Sequence, residues 1–118
     1  MSINYGGLMF TNPVPAAYGL APHDPGIVAI QVRNDSFTPL PFQPVGFEAS
    51  ADLSAFALDE HPECARWRGH ALATTGLFVS YATLRYESAA YRDEARDTLL
   101  AQYVTAGVPA TAAPRQAR

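Results

Sequence analysis

Gly26-Ile27-Val28-Ala29-Ile30-Gln31-Val32 runs apolar and largely β-branched, with no polar side chain before Gln31. A half-exposed strand would alternate apolar and polar residues, so this run predicts a largely buried strand at the centre of whatever core forms. Upstream, Gly6, Gly7, Pro13, Pro15, Gly19, Pro22 and Pro25 break residues 1–25, which nevertheless carry Leu8, Met9, Phe10, Tyr18 and Leu20. So many breakers exclude a regular element, and the apolar content predicts a Pro/Gly-rich arm, ordered by packing on the domain.

Downstream, Asn34-Asp35-Ser36 signals a turn, and Pro39, Pro41 and Pro44 confine the next strand to roughly Pro44–Ala49, antiparallel to the first. Ser50 is a good N-cap, Asp52 suits a first helical turn, and Leu53, Phe56 and Ala57 repeat at helical spacing to about Asp59. His61-Pro62 ends that helix, and Glu63–Arg68 predicts one or two more turns anchored in the core by Trp67. Gly76–Arg85 reads as a strand, and Ser88 caps a last helix over about Ala89–Val104, stopped by Gly107 and Pro109. Residues 110–118 are small, polar and basic, and predict a flexible tail. A chain of 118 residues holds one core. The expected architecture is therefore α/β (α+β): a small three-stranded, mostly antiparallel sheet flanked by helices, in the order β-β-α-(α)-β-α over residues 26–109.

All eight basic residues are Arg, and the lack of Lys excludes Schiff-base and lysine general-base chemistry. Through residue 110 six Arg face eleven acids, a net charge of −5, and the whole chain carries −3. That balance disfavours non-specific binding to nucleic acid or to anionic membranes. Cys64 is the single cysteine, so neither an intrachain disulfide nor a multi-cysteine zinc site can form. No charged segment leads into an apolar run at the start, and no stretch nears about 18 apolar residues. A cytoplasmic protein with no membrane partner is the expectation.

Gly26-Ile27-Val28, then Gly46-Phe47-Glu48-Ala49-Ser50-Ala51-Asp52-Leu53, then Leu99-Leu100-Ala101-Gln102-Tyr103, in this order of elements, resemble the GIY-YIG endonucleases over about residues 20–105. In that family two Tyr, an Arg on the first helix and a metal-binding Glu on the last helix carry phosphodiester hydrolysis. The chemistry needs a base for water, a cation for the transition-state charge and a carboxylate for Mg²⁺ or Mn²⁺. At the matching positions this chain has Val28, Gly46, Ser54 or Ala55, and Arg96, none of which can serve. Glu94 lies two residues, about 200° of helix, from the ligand position, so it points elsewhere unless the match slips. Arg96 would repel a cation, but it can bind a phosphate or an acidic side chain, or simply pair with Asp93. The resemblance thus implies the fold without its chemistry and without a cofactor, Mg²⁺ or Mn²⁺ entering only if nuclease activity persists.

Three further groupings bear on function. Asp59, Glu60, His61, Glu63, Cys64 and His70 gather metal-ligand types, but His61-Pro-Glu-Cys64 fills only two of zinc's usual four positions, and a charged helix end with one buried Cys explains them. A catalytic Cys64 would need His61 or His70 as its base. Arg66, Arg68, Arg85, Arg92 and Arg96, with Trp67, Tyr81 and Tyr86, offer the cation and aromatic vocabulary of single-stranded nucleic-acid binding, although Glu63 and Glu87 sit close enough to neutralise it. Phe78, Tyr81 and Tyr86 on an exposed sheet face would equally suit a protein partner. The expected function is a non-catalytic binding module, most suited to protein. The alternative is a nucleic-acid-binding protein or a weak metal-dependent nuclease.

Overall fold

The computed structural model describes residues 2–37, 40–71, 76–105 and 111–112. Among the described residues there are seven strands: β1 (Ile3–Tyr5), β2 (Leu8–Phe10), β3 (Val14–Pro15), β4 (Gly26–Arg33), β5 (Phe42–Ser50), β6 (Leu77–Thr83) and β7 (Thr111–Ala112). Two α-helices, α1 (Cys64–Arg68) and α2 (Ala89–Leu99), and single 3-10 turns at Ala16–Tyr18, Leu53–Ala55 and Leu58–Glu60 complete it. The class is α+β, as the residue pattern implied.

The main sheet is antiparallel and four-stranded, in the order β3-β6-β4-β5, so the Gly26–Arg33 run lies between two long partners. Its two faces are both covered, which accounts for the missing alternation. On the first face Ile27, Ala29, Phe47 and Ala82 pack under Ile3, Tyr5, Phe10, Leu99 and Tyr103. On the second, Val28, Ile30, Val32, Leu77 and Val79 pack under Val45, Leu53 and Trp67. Gln31 is the one fully buried polar residue of β4. Its Nε2 donates to Tyr5 Oη at 3.0 Å and to Ser80 Oγ at 3.1 Å, so its burial leaves no donor stranded.

The N-terminal segment departs from expectation. The breakers at Gly6 and Gly7 do not exclude a regular element; they make one. Both have positive φ, 61° and 88°, which permits the two-residue turn of a tight hairpin between β1 and β2. Gly6 N–H donates to Tyr103 Oη at 2.7 Å, tying the turn to the C-terminal helical segment. Tyr5, Phe10, Phe47 and Tyr103 form an edge-to-face aromatic cluster with neighbouring centroids 5.1–6.3 Å apart. Thr111–Ala112 pairs with β1 and gives the hairpin a third strand, while the rest of the expected tail, with Pro39, Gly107 and Pro109, lies outside the described residues.

Three other elements differ in extent. β5 begins at Phe42, because as an edge strand it tolerates Pro44 where an interior strand would not; the register with β4 shifts between Ile30 and Gln31. The helix expected over Leu53–Asp59 is instead two 3-10 turns with Phe56 and Ala57 extended between them. Asp52, not Ser50, caps the first turn by accepting from Ser54 N–H, and Leu53 N–H donates to the Asp24 carbonyl. The extended link lets Leu53, Phe56 and Leu58 all reach the second-face core. The last helix is capped by the Ser88 side chain as expected, but after Leu99 it widens into a π-helical turn, Leu100–Thr105, that carries Tyr103 to the hairpin. Among the described residues no helix is long and apolar enough to cross a membrane.

Candidate functional site

Two of the positions to which the resemblance assigns nuclease chemistry, Val28 and Gly46, are taken up by packing. Val28 is fully buried in the second-face core. Gly46 faces the Trp67 indole so closely that an added Cβ would fall 2.5 Å from its Nε1. Ser54 and Ala55 sit in a 3-10 turn rather than on a helix. Glu94 borders a concavity of about 260 Å³ between the hairpin and α2, whereas Arg96 reaches the other way, to β5. Neither this concavity nor the groove described below is lined by Val28, Gly46 or Arg96.

At the outer edge of the sheet, Glu48 of β5 collects the layers on both sides. His61 Nε2 lies 2.7 Å from Glu48 Oε2, and Arg96 Nη1 lies 3.5 Å from Oε1. His61 Nδ1 accepts from Glu63 N–H at 3.0 Å, so the ring proton belongs on Nε2 and points at the carboxylate. Both imidazole nitrogens are thereby occupied, and the ring has no free lone pair with which to act as a general base. Arg96 also lies 3.0 Å from Asp97 and 4.0 Å from Asp93, the partner foreseen from the sequence. Burial opposes the charge on Arg96, but Asp97, Glu48 and Asp93 outweigh it and hold its pKa above the usual arginine value.

The other described arginines are also held within the chain. Arg66 pairs with Glu63, Arg68 with Asp59, Arg85 with Asp24 and Arg33 with Asp35. Arg66 holds the Glu63 carboxyl below the ordinary range. Arg92 donates to the Glu87 carbonyl oxygen. These cations lie at the end of β4, on α1, just after β6 and on α2, not along one groove. The aromatic residues are scattered too: Phe78 packs on Phe42, Tyr81 on the second-face core, and Tyr86 sits 94% exposed in the turn before α2. The expected single aromatic face is therefore absent, because Phe78 and Tyr81 are an odd number of residues apart on β6 and point to opposite faces.

The acidic and histidine-rich stretch is dispersed by those same pairings, and among the described residues no three His, Cys, Asp or Glu come together as a metal site. Cys64 is buried in α1. One constellation escaped sequence reading: Ser54 Oγ lies 2.6 Å from Asp52 Oδ1 and 2.9 Å from His23 Nδ1, bringing the arm against the first 3-10 turn. It has the residue types of a hydrolytic triad but not the order. The carboxylate faces the serine rather than the histidine, and the Ser54 hydroxyl and amide together hold the Asp52 pKa low, making it a poor base.

What remains open is a groove of about 720 Å³ on the second face. Its floor is Leu77, Val79 and Tyr81 of β6; one wall is the arm at Pro15–Ala21, and the other is Ser54 and Phe56–Glu60. Leu20, on the arm wall, is 92% exposed. The groove was not legible beforehand because its arm wall and its other parts are separated by more than 30 residues of sequence, from Ala21 to Ser54; the apolar residues of the arm were the signal.

Comparison with family models, with curated proteins and with solved structures finds no match to this chain.

Proposed function

We propose that this chain is a non-catalytic binding module for a protein partner, working through the second-face groove in a reducing, cytoplasmic setting. In this proposal its frame is similar to that of GIY-YIG endonucleases in the succession of its principal strands and final helix, with that family's chemistry lost. One observation carries the proposal. Among the described residues the arginines that a nucleic-acid ligand could use are ion-paired within the chain, apart from Arg92, while the groove is floored by apolar side chains and its one described arginine, Arg68, is paired with Asp59. Each of these paired arginines has a carboxylate beside it, which neutralises its charge and repels a phosphate.

Incubation with plasmid and single-stranded DNA in Mg²⁺ or Mn²⁺ tests the absence of catalysis; no cleavage is expected, and cleavage abolished by Glu94→Ala would overturn it. Binding to labelled single-stranded DNA across a salt titration tests the choice of partner. No binding is expected, whereas affinity that falls steeply with salt would favour a nucleic-acid ligand.

A further inference from the structure

We propose that the groove takes an extended segment of a partner protein with apolar side chains at alternate positions and at least one Lys or Arg. This rests on the binding-module reading and specifies its ligand.

The floor sets the shape. Leu77, Val79 and Tyr81 follow one another at two-residue spacing on one face of β6, about 6.6 Å apart, which is the pitch at which alternate side chains of an extended segment repeat. The sheet edge beside this floor is only partly used. β3 pairs with Val79 and Phe78 and then leaves the edge at Ala16 in a 3-10 turn, so β6 continues to Leu77 beyond its β3 partner. The arm then rises as a wall that presents Leu20, and an apolar ligand in the groove would remove that side chain from water. The Tyr81 hydroxyl, its pKa raised by burial, stands at the arm wall close to Gly19.

The rim sets the charge. Asp59 and Arg68 both line the groove and neutralise each other, whereas Glu60 has no cationic side chain within 4.0 Å among the described residues. The groove therefore carries one uncompensated negative charge at its mouth, in a chain of net charge −3. A basic residue beside the apolar ones answers that charge, and an acidic segment would be repelled.

A library of random peptides displayed on phage, selected on the whole chain, tests this directly. Enriched peptides are then measured by fluorescence polarisation against the wild type, Leu20→Asp and Glu60→Lys. Leu20 and Glu60 are exposed, so unchanged circular dichroism and melting show that each variant is folded. The expected result is enrichment of alternating apolar residues with Lys or Arg, affinity reduced about tenfold or more by Leu20→Asp, and a smaller loss in Glu60→Lys that is relieved by replacing the peptide's basic residue with Glu. Peptides that lose affinity in Leu20→Asp but lack basic residues and ignore Glu60→Lys would overturn the ligand chemistry and leave the groove as the binding site. Peptides indifferent to Leu20→Asp, or no enrichment at all, would overturn the groove itself. Self-association abolished by Leu20→Asp, without peptide binding, would replace the partner with a second copy of the chain.

Discussion

The imidazole of His61 stacks on the indole of Trp67, with ring centroids 4.5 Å apart and planes 29° from parallel. The same ring is held at its edge by Glu48 and at Nδ1 by the Glu63 amide, so three elements, β5, the loop after the Leu58–Glu60 turn and α1, are joined through one side chain. His61→Ala should lose both the stack and the bond to Glu48, lowering stability by about 1–2 kcal/mol. His61→Phe keeps a ring on Trp67 and should lose less. Urea unfolding followed by the fluorescence of Trp67, the only tryptophan, measures both.

Gly46 stands where the resemblance to GIY-YIG endonucleases would put a tyrosine, and Trp67 fills the space such a side chain would need. An added Cβ would meet Nε1, Cε2 and Cζ2 of the indole at 2.5–2.7 Å, and Trp67 is itself 2% exposed and hemmed in. Gly46→Ala should therefore cost about 1–3 kcal/mol through overpacking. Trp67→Leu relieves the clash, so the double variant should be more stable than the sum of the single losses predicts. A thermodynamic double-mutant cycle on the four proteins checks it; strict additivity would mean that the two residues do not contend for the same space.

The parts of this structure that followed from sequence are those governed by local chemistry with long periodic support. The Ile27–Val32 run gives a strand buried on both faces, Ser88 caps α2, and Trp67 anchors α1 in the core. The parts that escaped are decided by tertiary contact. Leu53, Phe56 and Leu58 have spacing that suits a helix, yet they reach the core through two tight turns because Leu53 N–H is held by the Asp24 carbonyl, a residue of the arm. Gly6 and Gly7 look like chain-breaking residues until Ile3 pairs with Phe10 and Tyr5 with Leu8, whereupon the same freedom becomes a hairpin turn. The arginines could be named in advance, and so could their near neighbours Asp93 and Glu63, but Asp24 for Arg85 and Glu48 for Arg96 could not, since those pairs join residues far apart in sequence. The groove escaped for the same reason.

The two turn glycines should respond unequally to substitution. Both hold positive φ, so Ala at either is strained by about 1 kcal/mol. A Cβ on Gly6 would also press on Leu99 Cδ2 at 3.0 Å, while one on Gly7 meets nothing within 4 Å. Gly6→Ala should consequently destabilise more than Gly7→Ala, and Gly7→Asn should be milder still because Asn tolerates the left-handed region. Chemical denaturation of the three variants ranks them.

Arg96 should matter through stability rather than through ligand binding. It is partly buried beside Glu48 and draws on Asp93 and Asp97 as well, so Arg96→Gln leaves three carboxylates facing one another without a cation. Because the pairs are partly exposed, a loss of about 1 kcal/mol is expected, shrinking in high salt as the repulsion is screened. Unfolding midpoints at low and high salt check this. Affinity for the peptides selected on the second-face groove should be unchanged, since Arg96 does not line it.

Alkaline pH should expose the buried Tyr5–Gln31–Ser80 network. Burial pushes the Tyr5 hydroxyl well above its usual pKa of 10.0; the bond donated by Gln31 works the other way, and Tyr103 adds to the rise. The unfolded chain releases this proton near pH 10 while the folded chain retains it, so Tyr5 leaves stability level below that pH and lowers it above. Tyr5→Phe should cost about 1 kcal/mol at neutral pH, because Gln31 Nε2 loses one of its two acceptors and keeps Ser80. Above about pH 10 the variant lacks this buried ionisation, so the gap between the two proteins should narrow as pH rises. Urea unfolding of both proteins at neutral pH and at about pH 11 measures the difference, and the contributions of the other tyrosines cancel in it. A gap that stays constant would mean that the Tyr5 hydroxyl titrates alike in the folded and unfolded chain, as it would if water reached it beneath the hairpin.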